Sequence, residues 1–114
     1  MNIRVVKTKI STVELKKLAE EIFGEMVKGV VDVEKEILAL GGEYHIDSNE
    51  VLISDGSHQS QVWGINIYID QSHDERIEYH SLINIRPAMG NRSSVVEDED
   101  LKKKIKAIVD KLIE

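Results

Sequence analysis

Four segments of the chain carry an unambiguous pattern of apolar and polar positions, two with the period of a strand and two with that of a helix. Residues 62–69 place Trp63, Ile65, Ile67 and Ile69 on one face and Val62, Gly64, Asn66 and Tyr68 on the other, because successive strand side chains point to opposite sides. Residues 77–86 repeat the pattern, Ile77, Tyr79, Ser81, Ile83 and Ile85 alternating with Glu78, His80, Leu82, Asn84 and Arg86. The polar stretch 70–76 joins the two, which predicts an antiparallel pair. Nearer the start, Ser11 and Glu14 have the spacing of a capping box, in which a hydroxyl and a carboxylate satisfy free amides. Leu15, Leu18, Ala19 and Ile22 then recur at helical spacing, so a helix over 12–23 is expected, stopped by Gly24. Toward the end Leu101, Ile105, Ile108 and Leu112 share one face of a second helix, lysines occupy the other, and Asp98 or a neighbour caps it.

Residues 26–40 fit two patterns. Met26, Val30, Val33, Ile37 and Leu40 make a helical stripe, yet the β-branched residues crowd around Gly29. Glycine weakens a helix and branched side chains suit a pleated surface, so two strands are favoured, 27–33 and 37–40, turning at Glu34-Lys35-Glu36. One helix ending at Gly41-Gly42 is the alternative. Residues 43–46 and 51–54 flank Asp47-Ser48-Asn49-Glu50 and predict a hairpin. Residues 3–7 alternate as an edge strand or an ordered arm, 55–61 is a polar loop, and Pro87 ends the preceding strand and opens an irregular loop to Asp98. The pattern predicts one α+β domain over residues 1–114: an antiparallel β-meander of about five strands flanked by an N-terminal and a C-terminal helix.

Composition narrows the function classes. A formal charge of −6 disfavours nucleic acid as a partner, since nonspecific affinity comes from lysines and arginines that displace counterions along phosphates. The chain has no cysteine, which removes disulfides and thiolate chemistry and suits a reducing compartment. No segment approaches the roughly 20 apolar residues that span a bilayer, and no signal-like apolar run opens the chain, so no membrane association and a cytoplasmic location are expected.

The candidate chemistry lies on the polar face of the two clearest strands. Asn66, His80, Asn84 and Arg86 fall in a row there, and the loop that follows adds Asn91, Arg92, Ser93 and Ser94, with Gly90 allowing close backbone approach. Amides offer both donors and acceptors, and arginine offers a planar fork for carboxylate or phosphate. The same row reads more simply as a solvated sheet face, and the loop equally well as a turn tied by its own side chains. His45 and Asp47 would share one face of a strand, but a metal site needs further ligands that the sequence does not place. His58 and His73 sit in polar loops. The acids from Glu97 to Asp100 complement a helix start better than they build a calcium loop.

Several stretches together resemble a small prokaryotic family of uncharacterised proteins, a domain of unknown function. They are VVDVEK from Val30, GGEYHID from Gly41, WGINIY from Trp63, LINIRP from Leu82 and GNRS from Gly90. The resemblance runs from the first helix to the last and implies no activity, cofactor or partner. The chain departs from the family pattern at His80, where an acidic residue is expected, and at His58, where a longer basic one is. That leaves Asn66, Asn84, Arg86, Asn91 and Arg92 as the expected ligand-binding residues. Three functions stay open. One is a binding module for a small anionic molecule or a peptide, forming a homodimer. The second is a small hydrolase-like enzyme in which His45 or His80 is a general base near Arg86. The third is a regulatory protein that pairs with another protein through an exposed strand.

Overall fold

The computed structural model describes residues 2–114. In chain order it contains β1 (Ile3–Val6), α1 (Thr12–Glu20), β2 (Met26–Asp32), β3 (Ile37–Gly41), α2 (His45–Ser54), β4 (Val62–Tyr68), β5 (Ile77–Glu78) and α3 (Glu99–Leu112). The five strands form one antiparallel sheet in the order β1-β3-β2-β4-β5. The fold is α+β, with the N-terminal and C-terminal helices flanking the sheet as the sequence predicts. No helix among the described residues is long and apolar enough to cross a membrane.

Both faces of the sheet are covered. The main core lies between the sheet and α1 and α3, where Leu15, Leu18, Ile105 and Val109 meet Val31, Leu38, Ile65 and Ile67. The opposite face carries a smaller core of Val30, Ile37, Ala39, Leu52 and Val62, closed by α2 and by Ile83. Coverage on two sides explains why 26–40 shows no clean alternation: every residue of β3 is buried, and strands enclosed on both faces read as continuous apolar runs. The favoured reading of that segment, two strands and a turn, is the structure adopted. Asp32 forms the turn, its Oδ1 accepting from the amides of Glu34 and Lys35, both at 2.9 Å. Its Oδ2 accepts from Ser57 at 2.5 Å, which ties the hairpin to the exit of α2.

Two local expectations are corrected. Residues 43–54 form no hairpin but the helix α2. Its buried residues are His45, Ser48, Asn49 and Leu52, which is helical spacing written mostly in polar side chains, so an apolar periodicity cannot reveal it. Burial is made tolerable by hydrogen bonds, from Ser48 to the Gly41 carbonyl at 3.1 Å and reciprocally between Asn49 and Gln59 at 2.8 and 2.9 Å. The second correction concerns 77–86, which is a strand only at Ile77–Glu78. At Ser81 the hydroxyl accepts from the Ile83 amide and starts a 3-10 turn over Leu82–Asn84, so the alternation stops meaning opposite faces.

Gly64 lets this turn lie on the sheet. A Cβ there would stand 2.4 Å from Ser81 Cβ and 2.6 Å from its hydroxyl. Gly64→Ala should therefore destabilise the protein by about 1–3 kcal/mol in urea unfolding. Adding Ser81→Gly, which removes the clashing atoms, should recover part of that loss; no recovery would show that the contact is not the cause.

Candidate functional site

The sheet register sets three polar side chains side by side. Lys28 on β2 faces Asn66 on β4, and Asn66 faces Glu78 on β5, so an ammonium, an amide and a carboxylate form a row across three strands on the face that α2 covers. The first turn of α2 lies above this row and no side chain caps it. Between them is a cavity of about 360 Å³, whose lining includes Lys28, His45, Asn66, Glu78 and His80 together with Leu82.

His45 is held by the sheet beneath it. Its Nε2 lies 2.8 Å from the Ile65 carbonyl oxygen; a carbonyl can only accept, so Nε2 carries the hydrogen and the neutral ring keeps Nδ1 as a bare acceptor. Burial pushes the imidazole below its usual value and the Lys28 charge adds to that, while the Ile65 hydrogen bond and the neighbouring Asn66 amide act in the opposite sense. The ring is accordingly neutral at pH 7.

Asn66 is 6% exposed. Its Nδ2 donates to Glu78 Oε1 at 2.8 Å, an oxygen that also accepts from the Tyr68 hydroxyl at 3.3 Å. Its Oδ1 is buried without any donor. Rotating the amide would turn Oδ1 against the Glu78 carboxylate, so the orientation is fixed and leaves Oδ1 for the His45 ring, which can donate to it only when protonated. Lys28 Nζ lies 5.2 Å from the centre of the Phe23 ring and 5.7 Å from that of Tyr44, which draws it toward the start of α2 and away from Glu78.

Among family models, the one described as "Protein of unknown function (DUF5674)" matches residues 4–112. The chain belongs to that family. No curated protein and no solved structure matches it.

Of the expected ligand-binding residues of this DUF5674 domain, only Asn66 lines the cavity. Asn84 is fully buried and acts as a surrogate strand: its Oδ1 accepts from the Gly64 amide at 2.8 Å and its Nδ2 donates to the Gly64 carbonyl at 2.9 Å and to that of Ser94 at 3.2 Å. Arg86 donates to the carbonyls of Ile83 and Val62, and its guanidinium lies 4.4 Å from the centre of the Trp63 ring. Asn91 donates to the carbonyls of Asn84, Ser93 and Val95 and accepts from the Glu97 amide. Arg92 is exposed, and its amide, with that of Ser93, donates to the Glu97 carboxylate, each at 2.8 Å. A second hollow beside Asn91 is bordered by Glu97 and Asp98, acids already engaged with the loop and with the start of α3.

The histidine expectations divide in the same way. His45 and Asp47 lie on a helix and so do not share a face; His45 is buried in the cavity wall and Asp47 is half-buried. No group of three metal-ligating side chains occurs among the described residues. His80, downweighted by its departure from the family pattern, shares the cavity with His45, whereas Arg86 does not line it. Lys28 was missed in the sequence, and Glu78 was placed on the face of Asn66 without being chosen, because their relation to Asn66 is one of strand register, not of spacing along the chain.

Two measurements test this geometry. The unfolded His45 titrates near its usual value of 6.5 and the folded one lower. Between those values the unfolded chain binds more protons, so stability rises with pH through the window and falls on acidification below 6.5. NMR should show the ring as the Nε2–H tautomer titrating below 6.5, and His45→Gln should flatten the dependence of Tm on pH there; an unchanged slope would contradict the assignment. Asn84→Ala strands the Gly64 amide and carbonyl and should lower unfolding stability by about 3 kcal/mol. Asn84→Asp should do no better, since a carboxylate would then face the Gly64 carbonyl.

Proposed function

We propose that this DUF5674 domain is a small cytosolic binding module whose ligand is a small polar molecule held in the cavity between α2 and the Lys28–Asn66–Glu78 row. The unpaired, buried Asn66 Oδ1 carries this reading. An acceptor stripped of water without a partner costs about 1–3 kcal/mol, and a donor brought by a ligand removes that penalty on binding. The positive end of the site, Lys28 beside the uncapped first turn of α2, retains the anionic group expected from the sequence but moves its recognition away from Arg86 and Arg92. A chain without cysteine asks for no oxidising compartment, which supports the cytosolic assignment. Tyr44, Ile46 and Leu82 are 61%, 49% and 76% exposed around the mouth; this apolar rim is the surface on which a second copy of the chain or another protein would pack.

The experiment is an NMR screen of small polar molecules, followed on both ligand and protein signals, against the wild type and Asn66→Leu. Hits should shift the His45 and His80 ring signals in the wild type and lose binding in the variant, whose Tm should stay within a few degrees of wild type because the near-isosteric apolar group removes an unpaired acceptor, and water can replace the hydrogen bond lost by the exposed Glu78 carboxylate. Hits that bind both proteins equally would place the site elsewhere.

A further inference from the structure

Resting on that cavity, we infer that the ligand is a zwitterion of the α-amino-acid class, its ammonium between Asn66 and Glu78 and its carboxylate at Lys28 below the first turn of α2. The register fixes the polarity of the site. Lys28 and Glu78 sit on strands either side of Asn66, and strands are spaced about 4.8 Å apart, so opposite charges flank the amide at the distance of a small dipolar molecule. Asn66 Oδ1 is an acceptor without a donor, and Glu78 spends Oε1 on Asn66 and Tyr68, leaving Oε2 for a second N–H. An ammonium supplies both donors. At the other end the helix start carries the positive pole of its dipole, and although the Asp47 amide is spent on the Tyr44 carbonyl, no side chain caps the turn, which favours a carboxylate beside Lys28.

A ligand with one charge fits poorly. A plain anion would meet the Glu78 carboxylate and the Asn66 oxygen, and a plain cation would meet Lys28 and the helix pole. The remaining wall, formed by Met26, Leu82 and Ile83, is apolar and suits an aliphatic side chain, and a cavity of about 360 Å³ holds an amino acid of leucine size.

Calorimetric titration of the whole chain with the proteinogenic amino acids should find saturable binding among the aliphatic ones. For L-leucine, the des-amino analogue 4-methylpentanoate and the decarboxylated analogue 3-methylbutylamine should each bind at least about tenfold more weakly. Glu78→Gln, a near-isosteric change at an exposed position whose amide oxygen can still accept from Asn66 and Tyr68, should weaken leucine by a similar factor while leaving 4-methylpentanoate no weaker than in the wild type. Equal affinity for leucine and either analogue would overturn the zwitterion assignment. So would an amino-acid series without binders when the NMR screen yields other hits that depend on Asn66, an outcome that would leave the cavity itself in place. Failure of both series would remove the cavity as a site.

Discussion

The open edge of β4 is the constraint on which the arrangement of the cavity depends. β4 is seven residues long and β5 only two, so beyond Asn66 the backbone groups of β4 on that side have no strand to pair with. The chain meets this need with side chains: Asn84 takes both polar groups of Gly64, and Arg86 takes the Val62 carbonyl. An amide is the one uncharged side chain that offers a donor and an acceptor in the geometry of a peptide group, so it can stand in for a strand residue. Sealing the edge in this manner also removes a surface for sheet-to-sheet association. It fixes residues 81–84 over the sheet, and that turn is the wall of the cavity opposite α2.

Residues 84–97 then follow from the same requirement. Asn91 fastens the far end of the segment by four hydrogen bonds to backbone groups, and the Glu97 carboxylate, which holds the Arg92 and Ser93 amides, lies below its usual pKa for that reason. The asparagines and arginine that stand out in the sequence are conspicuous because folding needs them there. Arg86 is the partial exception, since its Nη1 is buried without a partner; burial lowers its pKa but leaves a guanidinium charged at any physiological pH.

The legible parts of the fold were those in which one physical demand wrote the pattern. The α1 capping box at Ser11 and the amphipathic face of α3 are local, and the structure shows both, Ser11 accepting from the Glu14 amide at 3.1 Å and Asp98 capping α3. The alternation of β4 was legible because its two faces differ, and the face assigned to Asn66 and Tyr68 is the one that meets the cavity. Three things were hidden for identifiable reasons. α2 buries a polar stripe, the buried β3 lacks an alternation, so that the β2–β3 pair could be read only from its β-branched residues and Gly29, and the segment after Glu78 keeps an alternating sequence while leaving the sheet. The site was half legible: Asn66 and His80 could be found on a strand face, but Lys28, Glu78 and the role of His45 come from pairings between strands and from a helix whose sequence resembles a turn.

The difference between the two sets of polar residues decides which is poised for a partner. Asn84 and Asn91 have their side-chain amides engaged within the fold, so a ligand would have to break hydrogen bonds to engage them, and the loss would fall on the stability of the loop. Asn66 differs by one atom. Its Nδ2 is engaged and its Oδ1 is not, although it is nearly as buried as Asn91. Native proteins satisfy nearly all such groups, and the exceptions concentrate where something else completes them. A protonated His45 could supply a donor, but burial and Lys28 hold that ring in its neutral form, in which Nδ1 carries no hydrogen. Asn66 Oδ1 thus has no donor from the fold at neutral pH, and a donor-bearing molecule entering the cavity is the simplest way for it to be met.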